Sequence, residues 1–192
     1  MFNPIKTQSI MKKKEMKELQ KQFPYIPSCE LEYEVNSSTY KTERGLMKHL
    51  AKVNDECRGK AEQPDVKRIE MTVEWHKSSM WGYNPHLRGY VQFEDGRWES
   101  NTDISCGGCG YDKLSTVMAD FLNRHLRGML WRRRNYRTNK PPYGITYQKG
   151  WFPHFDGGVG ENCTISGLMW LGFKLVSSSH GKTFDTYELV RK

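Results

Sequence analysis

Cys106-Gly-Gly-Cys109 is the only closely spaced pair of thiols in the 192-residue chain. A Cys-x-x-Cys pair supplies two of the four ligands that a structural zinc needs. A second pair is missing, because Cys29, Cys57 and Cys163 are scattered singles. A redox role needs the motif at a helix N-terminus, where the dipole lowers a thiol pKa. Cys109 lies close to such a position. The strands ahead of it, however, read as an antiparallel hairpin and not as the early strand of a thioredoxin-like sheet. The favoured reading is therefore a pair of turn or buried cysteines, with zinc and redox roles as alternatives. The same stretch, "GGCGYDK", forms a candidate anion-binding turn from Gly107, Gly108, Gly110 and Lys113. Backbone N–H groups at a glycine-rich helix start can cradle a phosphate. No Gly-Lys-Ser/Thr follows, and no strand–turn–helix dinucleotide fingerprint surrounds it. The competing reading is a tight turn that reverses the chain into a helix.

Catalytic spacings are poor. His76, His86, His125, His154 and His180 are far apart in the sequence, and none forms a nucleophile elbow or a zincin motif. "PHFD" offers His154 and Asp156, and Asp185 stands near the end of the chain, so a His/Asp/Cys group must be assembled in space. A hydrolase or redox protein built on Cys106, Cys109 and His154 is the third-ranked reading. The chain is not expected to be an enzyme, and neither a metal nor a cofactor is expected.

Charge says more. The net charge is +8, with 30 basic against 22 acidic residues. Arg124, Arg127, Arg132, Arg133, Arg134, Arg137 and Lys140 occur together without an acidic residue among them, and the other 23 basic residues are nearly balanced. The helix dipole favours one or two cations at a helix C-terminus, but not seven. Arg124, Arg127, Trp131 and Arg134 recur at helical spacing away from the apolar positions. Trp131, Tyr136, Tyr143 and Tyr147 interleave with the cations as base-stacking platforms would. This segment is the candidate nucleic-acid site; an acidic protein partner and a plain solvated surface are the alternatives.

The elements that must position these residues follow from periodicity. "MKKKEMKELQKQ" predicts a short charged helix, stopped by the prolines of "FPYIPS". Residues 41–57 predict a helix with Thr42 as N-cap. "VKRIEMTVEWHK" alternates as a strand does, "SSMWGYNP" reads as a turn-rich connection, and Asp95-Gly96 marks a hairpin turn. Residues 112–131 predict one long amphipathic helix, weakened by Gly128. A Pro/Gly/aromatic loop follows, with a short strand at "GITYQ". "CTISGLMWLG" predicts a helix ended by Gly172. "FKLV", a Ser-Ser-Ser-His-Gly turn and "KTFDTYELV" predict a closing hairpin. The expected fold is α+β: an antiparallel sheet made of a three-strand meander plus a C-terminal hairpin, with helices on one face. Residues 1–28 are expected to be an appendage and 29–192 a single domain. An odd cysteine number, no apolar signal segment and no run approaching ~18 apolar residues predict a cytoplasmic protein without membrane contact.

Two resemblances arise. "GCGYDK" and "NPHLRGY", within a helix–three strands–helix order, resemble the double-stranded-RNA-binding domain. Gly108, Gly110, Lys113 and Ala119 match its pattern, while its next two basic positions are Leu114 and Val117 here. "GCGYDKLSTVMADFLN", "PPYGI", "GGVGENC" and "SHGKTFDTYELV" together resemble, over roughly 70–190, a set of small uncharacterised proteins of bacterial phages and mobile elements. That second resemblance implies an accessory or anti-defence role in a host cytoplasm, of which anti-CRISPR inhibitors are one class. The expectation is a phage-type accessory protein that binds nucleic acid, or a nucleic acid–protein complex, through the arginine segment. Its alternative is an inhibitor that contacts a host nuclease complex through protein surfaces.

Overall fold

A computed structural model describes residues 13–37, 40, 42–78, 82–105, 114–134, 140–146 and 153–192. They fall into two compact units that divide at Ala61/Glu62.

The first unit is helical, with α1 (Lys13–Gln22), α2 (Ser28–Ser37) and α3 (Glu43–Glu62). Phe23, Ile26, Leu31 and Leu50 are its buried centre, with Met16, Leu19, Leu46 and Val53 packed around them. Phe23 and Ile26, ahead of the expected boundary at 28, thus pack with residues behind it. The Gln20 side chain donates to the carbonyls of Phe23 and Ile26, at 3.1 and 2.8 Å, which fixes the turn that Pro24 and Pro27 impose. Thr42 caps α3 as expected, its hydroxyl accepting from Gly45 N–H at 3.2 Å. Helix α2 has no counterpart in the sequence reading. Its segment offers only Leu31 and Val35 as apolar anchors, too few to show a 3.6-residue period.

The second unit is α+β. Strands β1 (Val66–Ser78), β2 (Gly82–Phe93) and β3 (Trp98–Ser105) form the meander. Strands β6 (Phe173–His180) and β7 (Phe184–Arg191) form the closing hairpin. They make one antiparallel sheet in the order β3-β2-β1-β7-β6. A two-stranded ribbon joins β4 (Ile145–Thr146) to β5 (His154–Phe155). Paired residues share a face, so Ile69, Val91 and Leu189 form one apolar row and Val73 and Leu87 lie in another. Helix α4 (Leu114–His125) and helix α6 (Glu161–Trp170) pack on that face. The opposite face carries Arg68, Glu70, Thr72 and Glu74 at partly or fully solvent-exposed positions.

Close packing explains one glycine. A Cβ on Gly89 would lie 2.3 Å from the Phe121 ring, so β2 needs glycine where α4 crosses it. Gly96 and Gly172 take positive φ at the hairpin turn and after α6, as their sequence positions predict.

Three expectations need correction. The helix expected over 112–131 is two helices, α4 and α5 (Arg127–Arg132), interrupted at Leu126. The serines assigned to the final turn belong to β6: Ser177, Ser178 and Ser179 pair with Glu188, Tyr187 and Thr186 beyond a register shift at Val176. That shift breaks the alternation on which the reading relied. Tyr83, Asn84 and Pro85, assigned to a connection, lie within β2.

Candidate nucleic-acid interface

Val117, Met118, Phe121, Leu122 and His125 bury one face of α4 at three- and four-residue spacings. The chain then leaves helical geometry at Leu126, with φ −97° and ψ 18°. This break would strand the His125 carbonyl and the Gly128 N–H inside the protein. The Gln63 side chain serves both: its Nε2 donates to His125 O at 3.0 Å and its Oε1 accepts from Gly128 N at 2.9 Å. A carboxamide suits this place because one end donates and the other accepts. Helix α5 therefore starts on a new phase, and the positions that a continuous helix would point outward are redistributed.

Trp131 shows the result. It is 4% exposed, packed beside the core, with the Arg134 guanidinium 4.1 Å from its ring centroid. Its expected role as a base-stacking surface is corrected: the ring faces inward because α5 is not continuous with α4. Arg132 is also turned to internal use. It pairs with Asp65 and donates to the Gln63 carbonyl at 3.1 Å, and Arg191 pairs with the same Asp65. Burial, and then the charge of Arg191, lower the Arg132 guanidinium pKa from its ordinary value. Arg124 donates to Asp120 at 2.6 Å one turn away, an exposed pair on the same helix.

Of the segment's other described cations, Arg127 and Lys140 are exposed and Arg133 and Arg134 are partly exposed. Arg127 is exposed at the start of α5, and Arg133 lies 5.1 Å from the Trp170 ring centroid. Neither has a carboxylate partner among the described residues. Lys140 is exposed beside the loop that carries the exposed Tyr143. Arg133 also helps Asp65, Met129, Arg132, Leu171 and Arg191 line a recess of about 120 Å³. Within residues 62–147 and 153–192 but outside the 124–140 segment, 10 basic residues stand against 14 acidic ones. The segment is thus a positive region on an otherwise slightly negative unit. Arg137, Tyr136, Tyr147, the turn glycines Gly107, Gly108 and Gly110, Lys113, Cys106 and Cys109 lie outside the described residues.

The histidines are distributed among separate sites. His154 pairs with Thr146 across the small ribbon, Nε2 to Oγ1, at 3.0 Å. His76 and His86 place their rings 4.3 Å apart on the open sheet face. His125 is 6% exposed, with Nδ1 3.1 Å from Glu99 Oε2 and Nε2 2.9 Å from Asn101 Nδ2. A neutral ring satisfies both contacts, donating to Glu99 and accepting from Asn101. Burial holds the His125 pKa below its ordinary value against the upward pull of Glu99, and Arg127 and Arg124 add to the lowering.

One cluster escaped sequence reasoning, which takes His180 and Asp185 only as scattered singles. Asp185 is 7% exposed; its Oδ2 accepts from Trp75 Nε1 at 2.6 Å and its Oδ1 lies 3.2 Å from His180 Nδ1. Tyr187 lies nearby, its ring 5.7 Å from that of His180. Burial, then the Glu161 and Asp185 carboxylates, push the Tyr187 phenol well above its ordinary pKa. Cross-strand register brings Asp185 and His180 together, and no local spacing signals it. No protein-family model, curated protein or solved structure matches the chain.

Proposed function

We propose that this protein binds nucleic acid, or a nucleic acid–protein complex, with little sequence preference, through the outward cations of the 124–140 segment. The observation that carries this reading is the set of cations that have no carboxylate partner among the described residues. Arg127, Arg133 and Lys140 are its described members. Cations of this kind neutralise phosphates and release counterions, giving affinity that falls with salt. Arg132 is engaged by Asp65 and is not itself a phosphate ligand in this reading. A phage or mobile-element accessory role, within a host cell's cytoplasm, is supported by the sequence resemblance alone.

The test is fluorescence anisotropy with labelled single- and double-stranded DNA and RNA across a potassium chloride series. Binding is expected to weaken log-linearly, each phosphate contact contributing about 0.7–0.9 to the slope. Absence of binding to every probe at low salt, with co-purification of a host nuclease complex instead, would favour inhibition through protein contacts.

A further inference from the structure

We propose that the recess between Trp75, Tyr83 and Asp185 is a base pocket that takes the guanine of an unpaired nucleotide. It rests on the nucleic-acid reading for the class of ligand, but it lies on other residues. The recess has a volume of about 360 Å³ and is lined by Trp75, Tyr83, Gly181, Lys182 and Asp185, within the ~300–1,000 Å³ of small-ligand sites.

Its walls are aromatic and on one face of the sheet. Trp75 pairs with Pro85, and Lys77 with Tyr83, so Trp75 and Tyr83 are diagonal neighbours. Such neighbours stand roughly 7–8 Å apart, somewhat less at Cβ. That spacing admits one planar ring at van der Waals contact, about 3.5 Å, from each side. Tyr83 is 60% exposed, so its ring is open to a ligand.

The floor selects the ring. An ionised carboxylate accepts at about four sites and donates at none. Trp75 and His180 occupy one site on each Asp185 oxygen, and both oxygens retain capacity. The Trp75 backbone N–H donates to the Thr183 carbonyl at 2.9 Å and so ties β1 to the β6–β7 turn. Guanine alone among the common bases presents two adjacent N–H donors, N1–H and N2–H, to such an acceptor. Adenine and cytosine place a ring acceptor beside their donor, and uracil flanks its single donor with carbonyls. Lys182, exposed in the turn, supplies a cation for the attached phosphate. A trimethylammonium cage would also use aromatic walls and a carboxylate, but a lysine at its rim would repel that ligand.

The experiment is calorimetric titration of the full chain at low salt with GMP, AMP and tetramethylammonium. GMP is expected to bind at least tenfold more tightly than AMP, with no heat from tetramethylammonium. Tyr83→Ser, at an exposed position, should weaken GMP at least fivefold. Asp185→Asn should weaken it at least tenfold, with circular dichroism checking its fold. No GMP heat, equal GMP and AMP affinities, preference for tetramethylammonium, or an unaffected Tyr83→Ser variant each overturns the pocket. Arg127→Gln/Arg133→Gln separates the two readings: GMP binding should persist while oligonucleotide binding weakens. If GMP fails and salt-dependent oligonucleotide binding remains, only the pocket is lost. If GMP binds and oligonucleotides show no salt dependence, only the arginine surface is lost.

Discussion

Arg132 and Arg133 are adjacent in the chain and end in different surroundings. Arg132 reaches the Asp65 carboxylate and the Gln63 carbonyl, while Arg133 lies over the Trp170 ring with no carboxylate partner among the described residues. The same division runs through the described part of the segment, with Arg124 and Arg132 paired to carboxylates of the chain and Arg127 and Arg133 without a carboxylate partner among the described residues. A count of seven basic residues therefore overstates the surface available to a polyanion. What matters is which cations the fold has already neutralised.

The sharpest break of this comparison is Asp65→Ala. It leaves Arg132 and Arg191 facing each other without their shared anion. A loss of about 2 kcal/mol in urea unfolding is expected, since hydrogen bonds to charged groups contribute ~1.5–3 kcal/mol. Nucleic-acid affinity should hold or rise, because Arg132 is released. The converse variant, Arg127→Gln/Arg133→Gln, should lower affinity on the order of tenfold in 0.1 M salt and reduce the salt slope by about 1.4–1.8. Its stability should stay within ~0.5 kcal/mol of the parent. An unchanged slope would remove the outward cations from the site.

A third expectation concerns pH. His125 has a folded-state pKa below its ordinary value, mainly through burial. The unfolded chain therefore takes up this proton first as pH falls. Its contribution to stability is full above about 6.5 and declines as pH drops through that value toward the folded one. Melting temperatures between pH 7.5 and 5 should fall, and His125→Gln should flatten that part of the profile. The smallest effect belongs to the exposed Arg124–Asp120 pair. Asp120→Ala should change stability by no more than ~0.5 kcal/mol, with oligonucleotide affinity equal or slightly higher.

Much of the fold is legible in the chain because alternation and amphipathic spacing report burial directly. Residues 66–77 and 86–93, the Asp95-Gly96 turn and the apolar face of α4 follow from that signal. The signal fails where a long-range partner decides. The interruption at Leu126 depends on Gln63, more than sixty positions away, and the inward turn of Trp131 follows from it. Helix α2 is held by a few contacts instead of a repeating stripe. The candidate interface was legible as composition only: the seven cations could be counted, but Asp65, which removes Arg132 from that surface, lies in another part of the chain. The Asp185 cluster was legible as residue types and hidden as an arrangement, because strand register alone unites Trp75, His180 and Asp185.

The Gln63 side chain acts as a pivot pin for α5. Gln63→Glu would keep an acceptor for Gly128 and lose the donor to His125, loosening one end of the pin while every arginine stays in place. The aim of the positive surface is thus adjustable from a residue that carries no charge and lies outside the proposed binding segment. Variation there would retune binding without leaving any trace in the arginine count.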